Sequence, residues 1–156
     1  MSEQEIFKKI SIGGLTKDQL VTRLVEAGIQ FNEYAKILFD HPSFSPSHTS
    51  EKVNLAKITL SDLGMGNPCS FREIIGRASA LGLELCPLYC ATFLRLEYLD
   101  QPEGPYLTVI SAKPQHDENY PNGFYLRNFN KILWLRGYRA TDFCEWPMDN
   151  EFIFLK

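Results

Sequence analysis

The apolar residues of this chain change their spacing along its length, and that change limits the fold more than any other feature. Apart from one strand-like stretch, they recur up to Gly82 at the three- and four-residue intervals of amphipathic helices. From Leu83 onward they move toward the alternation of strands. Helices first and consecutive strands afterwards imply an α+β arrangement rather than alternating βα units.

Two helices are expected at the N-terminal end. Thr16-Lys17-Asp18-Gln19 is a capping box, in which the Thr16 hydroxyl accepts from the amide three residues on and Gln19 reaches back. Leu20, Val21, Leu24 and Val25 follow at helical spacing, and Gly28 supplies a left-handed stop, so a helix is predicted over 16–27. Phe31, Tyr34, Ala35 and Leu38 repeat at helical intervals until His41-Pro42, because the residue before proline is pushed out of the helical region. This helical pair has the geometry of plain helical hairpins and also of helix-turn-helix DNA readers. Residues 42–51, rich in proline and serine, read as a linker. Val53, Leu55, Ile58 and Leu60 predict a strand. Ser70-Phe71-Arg72-Glu73 is a second capping box, followed by Ile74, Ile75, Ala78 and Leu81 on one face and Gly82 at the stop position.

Beyond that helix the pattern is strand-like. Leu83 and Leu85 form a short strand before Cys86-Pro87. Leu94, Leu96 and Tyr98 alternate with Phe93, Arg95 and Glu97, which predicts a strand over 93–99, joined by the turn at 100–105 to an antiparallel strand over 106–112. Near the C-terminal end, Phe124 to Arg127 and Ile132 to Tyr138 flank Asn128-Phe129-Asn130-Lys131 as a hairpin. A turn centred on Phe129-Asn130 would set Arg127 against Ile132 and Tyr125 against Trp134. Phe124, Leu126, Leu133 and Leu135 then share one side, expected to be core. Tyr125, Arg127, Ile132, Trp134, Arg136 and Tyr138 share the other. A last strand over 152–155 ends the chain. The expected architecture is α+β: a mainly antiparallel sheet with one packed helix and an N-terminal helical pair. It forms a single domain over 1–156, divided into the helical pair at 1–41 and the sheet core at 52–156.

Composition narrows the function classes. With 156 residues, 44% apolar and 22% charged, the chain falls in the ordinary one-domain globular range. Eleven Phe, seven Tyr and two Trp lie mostly in the second half, as packed sheet requires. A net charge of −3 and a pI near 5.6 give no field that would collect nucleic acid, and the second helix carries only Lys36, so nucleic-acid binding is disfavoured. The polar stretch from Met1 to Lys9 is followed by no apolar signal region, and no window approaches the ~18 apolar residues of a spanning helix, so a cytoplasmic protein with no membrane contact is expected.

Candidate chemistry is sparse. Cys69, Cys86, Cys90 and Cys144 are too scattered for a disulfide scaffold and are expected as free thiols. Cys86 and Cys90 have no second Cys/His pair at ligand spacing, so no metal site is expected, and no histidine lies near them in sequence to act as a base. The carboxylate pairs Asp117/Glu118 and Asp149/Glu151 read as solvated loop charges. No phosphate loop, dinucleotide fingerprint, zinc-protease motif or nucleophile elbow is present, and no cofactor is expected.

The side of the hairpin bearing Tyr125, Arg127, Trp134, Arg136 and Tyr138 carries the functional reading. Arginine forms bidentate bonds with phosphate or carboxylate, and flat aromatics stack on planar groups. The plainer account has the rings covering apolar surface while the arginines reach water or pair with Glu97, Glu103 or Asp142. The first functional expectation is a non-catalytic protein-interaction or ligand-binding module using this face and Arg139, toward a protein partner or a second copy. The alternative is a small enzyme with Arg127, Arg136, Arg139 and Tyr138 around an anionic substrate, which requires a concave pocket.

Several segments also carry a resemblance: Tyr98-Leu99-Asp100-Gln101-Pro102-Glu103-Gly104-Pro105, Gly123-Phe124-Tyr125-Leu126-Arg127, and the run from Leu133 to Ala140. With Leu83 to Leu85, Ala27 to Gln30 and Asn32 to Ala35, the chain resembles a family of small uncharacterised bacterial proteins over most of its length from about residue 15. Some members of that family carry a helicase label, which the absence of a nucleotide-binding loop here does not support. The resemblance implies a bacterial origin and no catalytic residues.

Overall fold

In chain order the elements are β1 (Ile6–Ile12), α1 (Lys17–Glu26), β2 (Gln30–Phe31), α2 (Glu33–Asp40), β3 (Glu51–Ile58), α3 (Phe71–Ala80), α4 (Cys90–Glu97), β4 (Leu107–Val109), β5 (Gly123–Phe129), β6 (Ile132–Tyr138) and β7 (Glu151–Leu155). They are taken from a computed structural model that describes residues 6–66, 69–117, 119–140, 145–147 and 149–156. The strands form one sheet in the order β1-β3-β7-β4-β5-β6-β2.

The helix termini follow their sequence signals. Both arms of the Thr16 box form, with the Gln19 amide donating to Thr16 Oγ1 at 3.1 Å and the Thr16 amide to Gln19 Oε1 at 2.9 Å. Gly28 takes φ +79° just past the end of α1. The Ser70 box starts α3 in the same way. At α2 the cap is Asn32, whose Oδ1 accepts from the Ala35 amide at 2.9 Å; Phe31 therefore lies outside the helix, in β2.

The expectation of a mainly antiparallel sheet with one packed helix and an N-terminal helical pair is corrected. The sheet is mixed: β4 runs parallel to the chain-terminal β7, and β2 runs parallel to β6. Among the described residues there are four helices, and the first two do not form a separate pair. A strand separates them, and β1 and β2 belong to the same sheet as strands from the later chain. Parallel partners must come from distant parts of the sequence, which local patterning does not register.

The segment expected as a strand over 93–99 is helix α4. Residues Cys90 to Arg95 are all buried, so the helix has no polar stripe from which a helical period could be read. Arg95, placed by alternation on a solvent side, is 0% exposed. The expected hairpin between 93–99 and 106–112 falls with it, and β4 is confined to Leu107–Val109. Strand β1 went unread because Lys8 and Lys9 make its segment polar. It is an edge strand on β3 that buries Ile10 and Ile12, and lysines are common on exposed sheet edges. Glu151, assigned to a loop, opens β7 and pairs with Lys57 at 3.2 Å.

Strand alternation divides the core in two. On the first face, α1, α2 and α4 pack over Ile10, Leu55, Leu107, Phe124, Leu126, Leu135 and Ile153. On the second, α3 and Trp146 pack with Ala56, Ile58, Phe152, Phe154 and Tyr138. The helical cover of the second face therefore lies over β3 and β7 and stops short of most of the β5–β6 hairpin.

Cys86 and Cys90 both lie in the first-face core, and the Cys86 thiol points at the Ile153 carbonyl at 3.8 Å. A hydrogen bond with Cys90, together with burial, holds the Cys86 thiol well above its ordinary pKa. The protonated thiol is the unreactive form. We expect labelling of Cys86 and Cys90 by a maleimide at neutral pH to be at least about a hundred-fold slower in the folded protein than in urea, read by peptide mass spectrometry. Because the folded value is raised, the stability this thiol contributes is complete below its unfolded pKa and declines as pH rises through the folded one. Labelling of native Cys86 should therefore accelerate only in strong alkali; rapid reaction at neutral pH would show a thiolate rather than a core thiol.

Candidate binding face

The hairpin that carries the candidate face turns one residue later than the sequence suggests. Phe129 pairs with Ile132, Arg127 with Trp134 and Tyr125 with Arg136. The turn is Asn130-Lys131, both at positive φ (+53° and +65°), the tight turn whose twist matches that of the flanking strands. The expected pairing of Arg127 with Ile132 and of Tyr125 with Trp134 is thus displaced by two residues. A displacement of two leaves every side chain on its expected face.

On the second face the side chains form a checkerboard of cations and rings. Arg127 stacks with its Cζ 4.7 Å from the Tyr106 ring centre and 4.4 Å from that of Phe129. Arg136 lies 5.1 Å from the Trp134 ring and 5.8 Å from the Tyr125 ring. Tyr106 and Tyr125 are themselves 5.2 Å apart, tilted by 51°. Tyr125, Arg127, Trp134 and Arg136 are half-buried, while Phe129 (49%) and Ile132 (45%) are exposed at the hairpin tip. Burial raises the Tyr125 phenol above its ordinary pKa, partly offset by the Arg136 charge, so it is neutral at physiological pH.

Among the described residues, neither arginine meets an acidic partner of the kind that sequence suggests. Among the described residues, no ion pair reaches Arg127 or Arg136; the two formed are Lys36–Glu33 and Lys57–Glu151. The Nε atoms of both arginines are buried without an acceptor. Glu103 instead accepts from the Lys131 amide at 2.8 Å, and Asp142 lies outside the described residues.

Not all of the expected site comes together. Tyr138 is 9% exposed and packs edge-on against Phe71 of α3 (6.2 Å) and Trp146 (6.1 Å), which makes it part of the second core. Arg139 is exposed beyond the end of β6 and donates to Asn119 Oδ1 at 3.3 Å, in the loop that approaches α2. A groove of about 530 Å³ between α1 and α2 and one of about 260 Å³ beside Phe44–His48 are lined by none of Arg127, Arg136, Arg139 and Tyr138. Sequence reading missed Tyr106 and Phe129 as members of the face. Alternation from Thr108 back to Tyr106, and from Arg127 on to Phe129, would have included both.

Compared with protein-family models, with curated proteins and with solved structures, this chain matches none. Among the described residues, no helix is long and apolar enough to cross a membrane.

Proposed function

We propose that this chain is a non-catalytic binding module of the bacterial cytosol that engages a partner or ligand through the outer face of the β5–β6 hairpin. The observation that carries the reading is the checkerboard: two stacked guanidinium groups and four aromatic rings, of which Tyr125 also packs against the second core while Tyr106, Phe129 and Trp134 lie outside it. Arg, Trp and Tyr are the residue types that dominate binding hot spots, and here they sit on strands held in register from both sides. The bacterial setting rests on the family resemblance alone.

Trp134 and Arg136 project from the sheet and are only half-buried, so replacing both with alanine should leave the fold intact. Each truncation of a hot-spot residue costs roughly 2 kcal/mol or more of binding. We therefore expect Trp134→Ala with Arg136→Ala to weaken by at least about thirty-fold every association found by light scattering at several concentrations or by a thermal-shift ligand screen. If the folded double variant kept all of those associations unchanged, this face would not be the binding site.

A further inference from the structure

The charge pattern on this face specifies what its partner carries, an inference that rests on the binding reading above. Arg127 and Arg136 are diagonal neighbours on adjacent strands, since Arg127 is paired with Trp134 and Arg136 with Tyr125. Diagonal positions of this kind lie roughly 7–8 Å apart. Each guanidinium is held between two rings, and only its Nε is buried without an acceptor, so its outer edge remains for a ligand. No carboxylate of the described chain neutralises either group. At the middle of the face both outer edges are taken, Tyr125 and Leu126 by β4 and Trp134 and Leu135 by β2, so a ligand there lies across the side chains rather than joining the sheet as a strand.

In an extended peptide, alternate side chains point the same way at roughly 6.5–7 Å, close to the diagonal spacing of the two cations. We propose that the β5–β6 face docks an extended acidic segment of a partner protein, two of whose carboxylates, on alternate residues, pair with Arg127 and Arg136. Residues flanking that pair on the same side rest against the Trp134 and Phe129 rings. A second copy using the same face is the poorer occupant, because a two-fold contact sets both arginines against their counterparts. A single-stranded nucleic acid also offers spaced anions and stacking groups, but its polyanionic chain would approach a protein of net charge −3.

Trp134 is a built-in reporter, because the second tryptophan, Trp146, is buried in the core beneath the neighbouring part of the sheet. The probes are a capped hexapeptide of alternating glutamate and valine, its lysine–valine counterpart, and an oligothymidylate. The glutamate peptide should shift Trp134 emission saturably, bind at least about ten-fold more tightly than the lysine peptide, and weaken as salt is raised. Arg127→Gln with Arg136→Gln should lose that binding by about ten-fold or more while keeping the native circular dichroism spectrum, and Arg139→Gln should not change it. If the double variant is not folded, each single variant should show its own loss of about three-fold or more. Binding of the oligothymidylate without the glutamate peptide, or glutamate-peptide binding indifferent to both arginines, would overturn the acidic-segment assignment. That failure leaves the binding face standing if other ligands still depend on Trp134 and Arg136. If no association depends on them, both readings fall.

Discussion

Arg95→Ala should lower the stability of this protein by about 3–5 kcal/mol, a large part of the whole for a domain of this size. Arg95 is fully buried on α4, and its guanidinium turns back on the C-terminal end of its own helix. One terminal nitrogen donates to Gln101 Oε1 (2.7 Å) and to the Trp134 carbonyl (3.1 Å); the other donates to the carbonyl of Tyr98, the residue that caps α4. Gln101, itself buried, passes the connection on through Nε2 to the Leu126 carbonyl at 3.3 Å, and its own carbonyl accepts from Asn128 Nδ2 at 2.7 Å. One cation thus ties α4 and the 98–101 turn to the inner backbone of β5 and β6. Alanine would leave those acceptors buried without donors and open a cavity under the β5–β6 hairpin.

The charge is part of the argument. Burial lowers the Arg95 guanidinium to about 10, which still leaves it cationic at neutral pH. Among the described residues no carboxylate pairs with it, so its stabilisation comes from neutral carbonyls and from the negative end of the α4 dipole. Arg95→Met keeps most of the volume and removes both the bonds and the cost of burying a charge, so it should be milder than alanine by about 2 kcal/mol. Urea unfolding of the three proteins, with unchanged slopes, checks this order. A loss under about 1 kcal/mol for alanine would show that the network contributes little to stability.

That Tyr125, Arg127, Trp134 and Arg136 share one face was legible in the sequence because of a property of strands. The turn was placed one residue early, at Phe129-Asn130, since Asn130-Lys131 lacks the glycine that usually marks a tight hairpin turn. The resulting shift in pairing was two residues, and the two-residue repeat of a strand returned Tyr125, Arg127, Trp134 and Arg136 to one face. Capped elements were equally legible: Thr16 and Ser70 announce α1 and α3 through local hydrogen bonds that need nothing from the rest of the chain. What sequence patterning could not supply was non-local. Nothing near Phe152–Leu155 signals that the last strand inserts between β3 and β4, and nothing near Gln30-Phe31 signals that two residues add a parallel edge to β6. Helix α4 failed for a different reason: a segment buried all round has no polar side to mark its period, and its one charged inward residue, Arg95, looked like solvent alternation.

Gly137→Ala should produce the second large effect, because it would separate α2 from the sheet at the point where the two are locked together. Asn32 caps α2 and at the same time continues the short β2 edge with its side chain. Its Oδ1 accepts from the Gly137 amide at 2.8 Å, and its Nδ2 donates to the Gly137 carbonyl at 3.0 Å. That reciprocal pair draws the first turn of α2 directly over Gly137. A β-carbon there would lie 2.6 Å from Tyr34 Cβ, 2.7 Å from the Tyr34 carbonyl carbon and 2.9 Å from the Ala35 nitrogen. Two of those atoms are helix backbone and cannot rotate away, so the helix must lift and the Asn32 bonds stretch. Overpacking of this kind costs about 1–3 kcal/mol, and the strained cap adds about 1 kcal/mol. Gly123→Ala, in the strand position directly opposite Gly137's neighbour Tyr138, is the matched control. Its closest clash is with the Ser111 hydroxyl at 2.9 Å, a side-chain atom that can turn aside, so its loss should be smaller by about 1 kcal/mol or more. Thermal unfolding of both variants, with amide exchange across Glu33–Asp40, separates the outcomes. Faster exchange in α2 for Gly137→Ala alone is the expected result, and equal effects from the two alanines would mean that close helix–sheet approach at Gly137 is not what holds α2 in place.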